Sequence, residues 1–343
     1  MSQAPTVKEG GKQKLLALEI GRGIAALMVV INHCDQATSY FSTNAAPRLA
    51  TWGQYGVDFF FVLSGFIIVY THQADPKGLA AARRYLWKRV LRIYLPYWPL
   101  AFVYMLLLLR YQAGPMSERP WSVWATLTLL PMEKGSTLTV AWTLSYEIMF
   151  YALFLLNYIS TRAFLAAAGV WIVFLLFVVA GVAPQTQGLS LVPVLTNPIV
   201  LEFFCGVAAA YAVRRVPDSW RLGLFAAGVA LLALAIVTWT GQRVVLAPPL
   251  ALIVLAGAKT RIDGRSRFMR AAILVGAASY AIYLAHSPVV SIVARVLEPL
   301  HMRWAVFAIC FVLGSAAGVV YHVWFERPLM TRARAALRSA GQL

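Results

Sequence analysis

The sequence predicts an all-α integral membrane protein, a bundle of about ten transmembrane helices with both termini in the cytoplasm. Hydrophobic residues make up 60% of the 343 residues and charged residues only 13%, and the mean hydropathy is +0.70. A soluble protein carries roughly 25% charged residues. Apolar runs of about 20 residues recur along the chain, and a helix of that length crosses the ~30 Å hydrocarbon layer of a bilayer.

Each predicted span coincides with one apolar run. In chain order the spans are 15–36, 53–72, 93–111, 139–159, 163–182, 193–213, 221–240, 243–258, 271–295 and 303–325. Only a very short turn at 241–243 separates the seventh span from the eighth. The apolar stretch 121–131 is too short to cross a bilayer, so we expect it to be interfacial or re-entrant.

The distribution of basic residues supports this topology. With the N-terminus inside, alternate connections are cytoplasmic, and these hold 22 of the 30 Lys and Arg residues, against six on the outer connections. An excess of Lys and Arg inside is typical of membrane proteins. Most of the net charge of +17 therefore orients the chain, and no nucleic acid is needed as a partner. Membrane lipids and an anionic cytoplasmic ligand are the partners that such charge favours.

The chain is predicted to form one membrane domain, residues 15–326, between a polar N-terminal tail, 1–14, and a basic C-terminal tail, 327–343. The first apolar run is long and no small-residue cleavage site follows it, which indicates an uncleaved first span. The three cysteines are Cys34, Cys205 and Cys310. They have no metal-ligand spacing, so we expect neither a metal site nor a disulfide framework.

Two ionisable residues lie eleven positions apart in the first span, Arg22 and His33. Ionisable residues within a membrane helix are costly and usually functional. Eleven residues are about three helical turns, so both side chains lie on nearly one face, ~16 Å apart along the axis. This spacing suggests chemistry that connects the two sides of the membrane.

Asp58 opens the second span in the run YGVDFFFVLSGFIIVY, at a depth similar to that of His33. A carboxylate can orient an imidazole that acts as a general base, so we expect Asp58 to contact His33. Asp58 is equally compatible with a helix cap. Deeper in this span, Ser64 and Gly65 are more typical of close helix packing.

The cytoplasmic run RRYLWKRVLRIYLPYW, residues 83–98, carries Arg89 and Arg92. Residues three apart on a helix are neighbours, so these two form a guanidinium pair suited to phosphate. The interleaved Tyr and Trp residues are typical of a membrane interface. A basic loop that only contacts lipid headgroups is the alternative.

Further polar side chains are expected in the outer half of the bundle. Glu147 lies within AWTLSYEIMFY, beside Trp142, and His286 lies within SYAIYLAHSPVV. We expect His33, Asp58, Glu147 and His286 to converge there. Glu202 and His322 are two more intramembrane polar residues.

Together these residues resemble the acyltransferase 3 family, membrane acyltransferases that modify bacterial surface glycans. The matching features are Arg22 followed after ten residues by His33, GVDFFFVLSGFII, Arg89-x-x-Arg92 before a Tyr-Pro-Tyr-like turn, WTLSYEIMFY, SYAIYLAHSP and FERP. The resemblance implies about ten helices and acetyl-CoA or a related acyl-CoA as cytoplasmic donor. It implies His33 as catalytic histidine with Arg22 as its partner, and donor binding by Arg89 and Arg92. The single-domain form is more similar to exopolysaccharide acyltransferases than to relatives with a fused hydrolase-like domain.

The predicted function is transfer of an acyl group, expected to be acetyl, from acyl-CoA to a glycan hydroxyl outside a bacterial inner membrane. His33, Arg22 and Asp58 are the predicted catalytic residues, Arg89, Arg92 and Arg22 bind the donor, and Glu147, His286 and Trp142 line the acceptor pocket. His33 acts either as general base or as a transient acyl carrier. Lipid-linked glycans and other polysaccharide-assembly proteins are expected partners. The alternatives are an acyltransferase for a small molecule or lipid, and a transporter or flippase. The sequence shows no internal repeat of the kind that many transporters have, which counts against transport.

Overall fold

Helices account for all the regular structure in the part of the chain that the computed structural model describes, residues 15–40, 48–111, 120–238 and 243–339. Beyond short 3₁₀ segments and one π-helical segment, these residues form α1 (Leu16–Tyr40), α2 (Tyr55–His72), α3 (Leu79–Tyr111), α4 (Val123–Thr128), α5 (Trp142–Phe154), α6 (Leu156–Ile159), α7 (Thr161–Val179), α8 (Leu191–Thr196), α9 (Leu201–Ala212), α10 (Arg221–Val237), α11 (Ala247–Lys259), α12 (Arg267–Ala277), α13 (Ser279–Leu297), α14 (Arg303–Tyr321) and α15 (Arg327–Ser339).

Eight helical segments within these ranges are long and apolar enough to cross a membrane. The all-helical membrane class is therefore confirmed. The predicted sixth and eighth spans coincide with shorter apolar helices, α9 and α11, of 12 and 13 residues. The turn predicted at 241–243 lies partly outside the described residues. The whole tail 1–14 and the last four residues of the tail 327–343 also lie outside them.

The centre of the bundle is formed by α1, α2, α9 and α13. Helices α2 and α9 approach so closely that a Cβ atom on Gly65 would lie 2.0 Å from the Phe203 carbonyl oxygen. A Cβ atom on Gly206 would lie 1.9 Å from the Val62 carbonyl oxygen. Only glycine permits this contact, because any larger residue would force the two backbones apart. The packing role expected for Gly65 is confirmed.

Helix α3 is longer than the predicted third span. It begins at Leu79 and continues through the basic run into the apolar part, with Pro96 and Pro99 inside it. The predicted Tyr-Pro-Tyr-like turn is therefore wrong, because these residues continue the helix. As a result Arg89 and Arg92 lie on one continuous helix, less than one turn apart.

Three further boundaries differ from the predicted ones. The predicted span 271–295 is divided at Ala278 into α12 and α13. The apolar stretch 121–131 contains only the six-residue helix α4. After α14, residues His322–Glu326 form a π-helical segment that leads directly into α15, so the described part of the basic C-terminal tail is helical. Segments of π-helix change the direction of side chains and often occur at functional sites.

Candidate functional site

A cavity of about 420 Å³ lies between α1, α2, α3, α5 and α13. Its wall on α2 runs from Val57 to Thr71. At 1.5 Å per residue these positions are ~21 Å apart, so the cavity follows most of the membrane depth. Most of the lining is apolar and aromatic, and the charged residues that line it are Glu19, Arg22, Arg89, Arg92 and Glu147.

Arg22 projects from α1 into this cavity. Its guanidinium makes no hydrogen bond or ion pair with any of the described residues. An arginine has five N–H donors, and leaving them unused inside a membrane protein is costly. The donors of Arg22 are therefore available to a ligand in the cavity.

Arg89 and Arg92 line the same cavity, as the predicted guanidinium pair requires. The Nη2 atom of Arg89 lies 2.6 Å from Nε2 of His72. The Nη1 atom of Arg92 donates to Oε1 of Glu326 over 3.3 Å. The two arginines thus share the cavity but differ in their partners.

Glu147 lies midway along the cavity wall on α5. The Ser64 hydroxyl donates to its Oε1 atom over 3.0 Å. Ser64 therefore has a polar role that the sequence did not indicate, since we expected it to serve packing. Glu147 thus lines a cavity, although most of the other lining residues are apolar or aromatic.

His33 and His286 form a pair between α1 and α13, with His33 in the second half of α1 and His286 seven residues after the start of α13. Nε2 of His286 lies 3.2 Å from Nδ1 of His33, and the ring centroids are 5.0 Å apart. Each Nδ1 atom also lies close to the carbonyl oxygen four residues earlier, 2.9 Å for Val29 and 2.8 Å for Ile282. Both Nδ1 atoms must therefore carry the proton, because a carbonyl only accepts.

This pattern determines what each ring can do. Nε2 of His286 has a lone pair and accepts from the Nδ1–H group of His33. Nε2 of His33 consequently also has a lone pair, and it makes no hydrogen bond with the residues described. His33 is partly exposed whereas His286 is fully buried. His33 is thus the member of the pair that can accept a proton from a substrate.

The predicted contact between Asp58 and His33 is wrong. Both carboxylate oxygens of Asp58 accept from Arg243, Oδ1 from Nε at 3.1 Å and Oδ2 from Nη2. Asp58 is fully buried. Arg243 lies 185 residues later, at the start of the 3₁₀ segment that precedes α11. Both oxygens of Asp58 thus face Arg243, and the imidazole of His33 is oriented by His286 and by the Val29 carbonyl instead.

Trp142 does not line the large cavity. Its ring packs edge-on against Phe61 and Tyr146, with centroid distances of 6.2 and 5.7 Å. It borders a small outer pocket together with Lys134, Ser136 and Thr139. The predicted convergence is therefore only partial: Glu147 lines the cavity, the two histidines lie beside its outer end, and Asp58 and Trp142 have other neighbours.

Tyr283 connects the cavity with the histidine pair. Its side chain lines the cavity, and its ring centroid is 6.0 Å from that of His286. Phe60 also lines the cavity and lies 6.1 Å from Tyr283. Neither histidine itself lines the cavity, so these two aromatic rings separate its outer end from the histidines.

Three residues have contacts that the sequence did not indicate, namely Asp35, His72 and Glu326. Asp35 is buried two positions after His33 and pairs with Arg303 at 2.9 Å. His72 and Glu326 contact the two arginines of α3. Asp35 was detectable as an acid in the first span, two positions after His33, but its partner is 268 residues away.

Residues 15–324 match the family described as an acyltransferase domain, the acyltransferase 3 family. The chain belongs to this family. It is an acyltransferase.

A relative of this acyltransferase is the exopolysaccharide production protein ExoZ of Rhizobium meliloti (strain 1021). The two are 29% identical over 302 residues, which cover 85% of this chain and 94% of the relative. No solved structure matches the chain.

Proposed function

We propose that this acyltransferase moves an acyl group, expected to be acetyl, from cytoplasmic acyl-CoA to a hydroxyl of an exopolysaccharide on the outer side of a bacterial inner membrane. The proposal is supported above all by one cavity, which has three arginines on its wall and ends beside a histidine pair. The name of the relative ExoZ supports the choice of acceptor.

The orientation of the bundle follows from the basic residues. We propose ten spans, formed by the eight long helices together with α9 and α11, and cytoplasmic N- and C-termini. Arg89, Arg92 and the basic helix α15 then lie toward the cytoplasm. His33, Asp58 and Arg243 lie toward the outer surface. Excess Lys and Arg on the cytoplasmic side supports this direction.

The inner part of the cavity fits the donor. Coenzyme A carries phosphate groups, and guanidinium groups bind phosphates through short, charge-assisted hydrogen bonds. Arg22 offers a guanidinium with no partner among the described residues, and Arg89 has no carboxylate partner there. The long apolar wall on α2 suits the pantetheine arm, which would extend toward Tyr283 and the histidines.

His33 supplies the base in the first of two routes. Its Nε2 lone pair takes the proton of the acceptor hydroxyl while the hydroxyl oxygen attacks the thioester carbonyl. The C–S bond breaks, an O-acyl ester forms, and the proton passes to the thiolate of the released CoA. His286 keeps the Nδ1–H tautomer of His33 and thereby keeps Nε2 unprotonated.

The second route is covalent. Nε2 of His33 attacks the thioester carbonyl, the C–S bond breaks, and the departing thiolate takes the proton that the acylated ring loses. The acyl-imidazole then passes its acyl group to the hydroxyl oxygen, and the hydroxyl proton returns to the imidazole. Both routes need the same lone pair on Nε2. An acyl group trapped on His33 after incubation with acyl-CoA alone would support the second route.

The acceptor is expected to approach from the outer side. The small pocket beside Trp142 contains Lys134, Ser136 and Thr139, and the Thr139 hydroxyl lies 3.1 Å from that of Ser287. Ser287 directly follows His286. This row of hydroxyl groups leads toward the histidine pair, and aromatic and hydroxyl side chains are suited to a sugar. We propose that Asp58 and Arg243 support this outer end and that Asp58 does not contact the reacting groups.

The test is consumption of acetyl-CoA by the purified protein in nanodiscs, with a thiol reagent to detect free CoA and exopolysaccharide fragments as acceptor. We expect wild type to release CoA and both His33→Ala and Arg89→Ala to release much less. His301→Ala is the matched control, since His301 is exposed in a loop and should keep full activity. If folded wild type releases no CoA with any acyl-CoA or glycan, the proposed donor is wrong and transport becomes the better explanation.

A further inference from the structure

The two arginines at the inner end of the cavity are held by different networks. Arg92 donates to Glu326, which is buried in the π-helical segment. Nδ1 of His322 lies 2.7 Å from the second carboxylate oxygen of Glu326. The charge of Arg92 is therefore already opposed by a carboxylate within the protein.

Arg89 has a histidine where Arg92 has a carboxylate. Nε2 of His72 lies 2.6 Å from Nη2 of Arg89, and Nδ1 of His72 lies 2.7 Å from Oδ2 of Asp75. The Tyr158 hydroxyl donates to the same Asp75 oxygen over 2.9 Å. Asp75, His72 and Arg89 thus form a chain of contacts that leads from the turn after α2 to the cavity wall.

The direction of each hydrogen bond in this chain follows from the chemistry of arginine. A guanidinium can only donate, so Nε2 of His72 must accept. The proton of the ring must then be on Nδ1, from which it is donated to Asp75. His72 is buried and neutral in this arrangement, and it fixes the direction of the Arg89 side chain without neutralising its charge.

The other side chains in contact with Arg89 are aromatic. Its guanidinium carbon lies 5.5 Å from the ring centroids of both Tyr85 and Tyr151, in positions typical of cation–π contacts. Its Nε atom is buried and has no hydrogen-bond partner in the described part of the chain. No carboxylate among these residues forms an ion pair with Arg89. A partly buried cation without a paired anion is suited to a ligand that supplies the negative charge.

We propose that Asp75 and His72 hold Arg89 as the phosphate-binding arginine of the donor site, with His72 as its positioning residue. Arg92 then contributes less to the binding of the donor, since the carboxylate of Glu326 already opposes its charge. This inference rests on acyl-CoA as the donor. It adds that the pair Arg89-x-x-Arg92 is functionally asymmetric and that recognition of the nucleotide phosphates depends on a histidine outside that pair.

The experiment measures KM and kcat with two donors, acetyl-CoA and acetyl-pantetheine, which lacks the nucleotide phosphates. His72→Leu should raise KM for acetyl-CoA roughly tenfold, the loss expected for one charge-assisted hydrogen bond, with kcat nearly unchanged. KM for acetyl-pantetheine should not change. His72→Gln keeps an acceptor near Arg89, so it should recover most of the affinity for acetyl-CoA.

Lys77→Gln is the matched control. Lys77 ties the same turn to Asn157 and Thr161, at 3.1 and 2.9 Å, without contacting Arg89. If Lys77→Gln raises KM for acetyl-CoA as much as His72→Leu does, the effect comes from the turn and the proposal is wrong. Equal losses with both donors, or an unchanged KM in His72→Leu, would also overturn it.

Two results separate this inference from the proposed function. If wild type binds no acetyl-CoA in equilibrium dialysis, the donor itself is wrong. If wild type binds acetyl-CoA and folded His72→Leu binds it equally well, only the positioning role is wrong.

Where His72→Leu does not fold, Asp75→Asn serves instead, since it weakens the acceptor for the Nδ1–H group of His72 at nearly constant shape. The expected result is then a smaller rise in KM for acetyl-CoA alone.

Discussion

The inner and outer ends of the cavity differ in their chemistry. The inner part has three arginines on its wall, two of them held by networks that end on carboxylates outside the wall. The outer end is lined by Phe60 and Tyr283, and beyond these rings lie two histidines that both carry the Nδ1 proton. The inner part is suited to binding an anion and the outer end to moving a proton. In the proposed function and orientation, binding and chemistry are therefore separated along the cavity.

The first prediction tests the outer end and has the largest expected effect. His33→Ala removes the only lone pair of the histidine pair that is open to a substrate, so kcat should fall by roughly 10²–10⁴-fold, the range of a lost general base. KM for acetyl-CoA should stay near the wild-type value, because the arginines are unchanged. Steady-state kinetics measures both constants. A large rise in KM with normal kcat would place His33 in donor binding and remove the distinction between the two ends.

The second prediction tests the inner part. Arg22→Gln removes a guanidinium that has no partner among the described residues, so the fold should tolerate it and KM for acetyl-CoA should rise roughly tenfold to a hundredfold. We expect kcat to fall less than KM rises. Titration of acetyl-CoA in the release assay measures this. A loss confined to kcat would assign Arg22 to the reacting groups, as its predicted catalytic role requires.

The third prediction concerns how His33 is oriented. His286→Leu removes the acceptor for the Nδ1–H group of His33 but leaves the Val29 carbonyl as an acceptor, so kcat should fall roughly tenfold. The release assay at saturating donor measures the change. Because His286 is fully buried, a melting curve must accompany the kinetics. Full activity in the folded variant would show that the backbone contact alone orients His33.

The fourth prediction has the smallest expected effect on catalysis. Asp58→Asn leaves Arg243 without its carboxylate, so the protein should lose stability by about 3 kcal/mol, as when a buried ion pair is broken. Since Asp58 does not contact His33, kcat of the folded fraction should stay within roughly threefold of wild type. Thermal melting in detergent and kinetics at low temperature measure the two effects. A collapse of kcat with an unchanged melting temperature would restore the predicted catalytic role of Asp58.

Much of the fold was predictable because membrane insertion depends on local composition. A run of about 20 apolar residues must form a helix, since nothing else satisfies its backbone groups in lipid. Helix boundaries were less predictable. The basic first half of α3 is polar and looks like a loop in sequence, yet it continues the helix beyond the apolar part. The π-helical segment at His322–Glu326 has no sequence pattern that marks it.

The sequence by itself determined the membrane class and the family, and it identified the arginines that line the cavity and the histidine that lies beyond Phe60 and Tyr283. Only the tertiary structure decided the partners: Arg243 for Asp58, His286 for His33 and Glu326 for Arg92, which are 185, 253 and 234 residues apart in the chain. The physical reason is that insertion into a membrane depends on the composition of one helix, whereas a hydrogen bond between two helices depends on the depth and rotation of both. Packing contacts such as those of Gly65 and Gly206 fix the depth and rotation of each helix, and no local sequence pattern predicts these contacts.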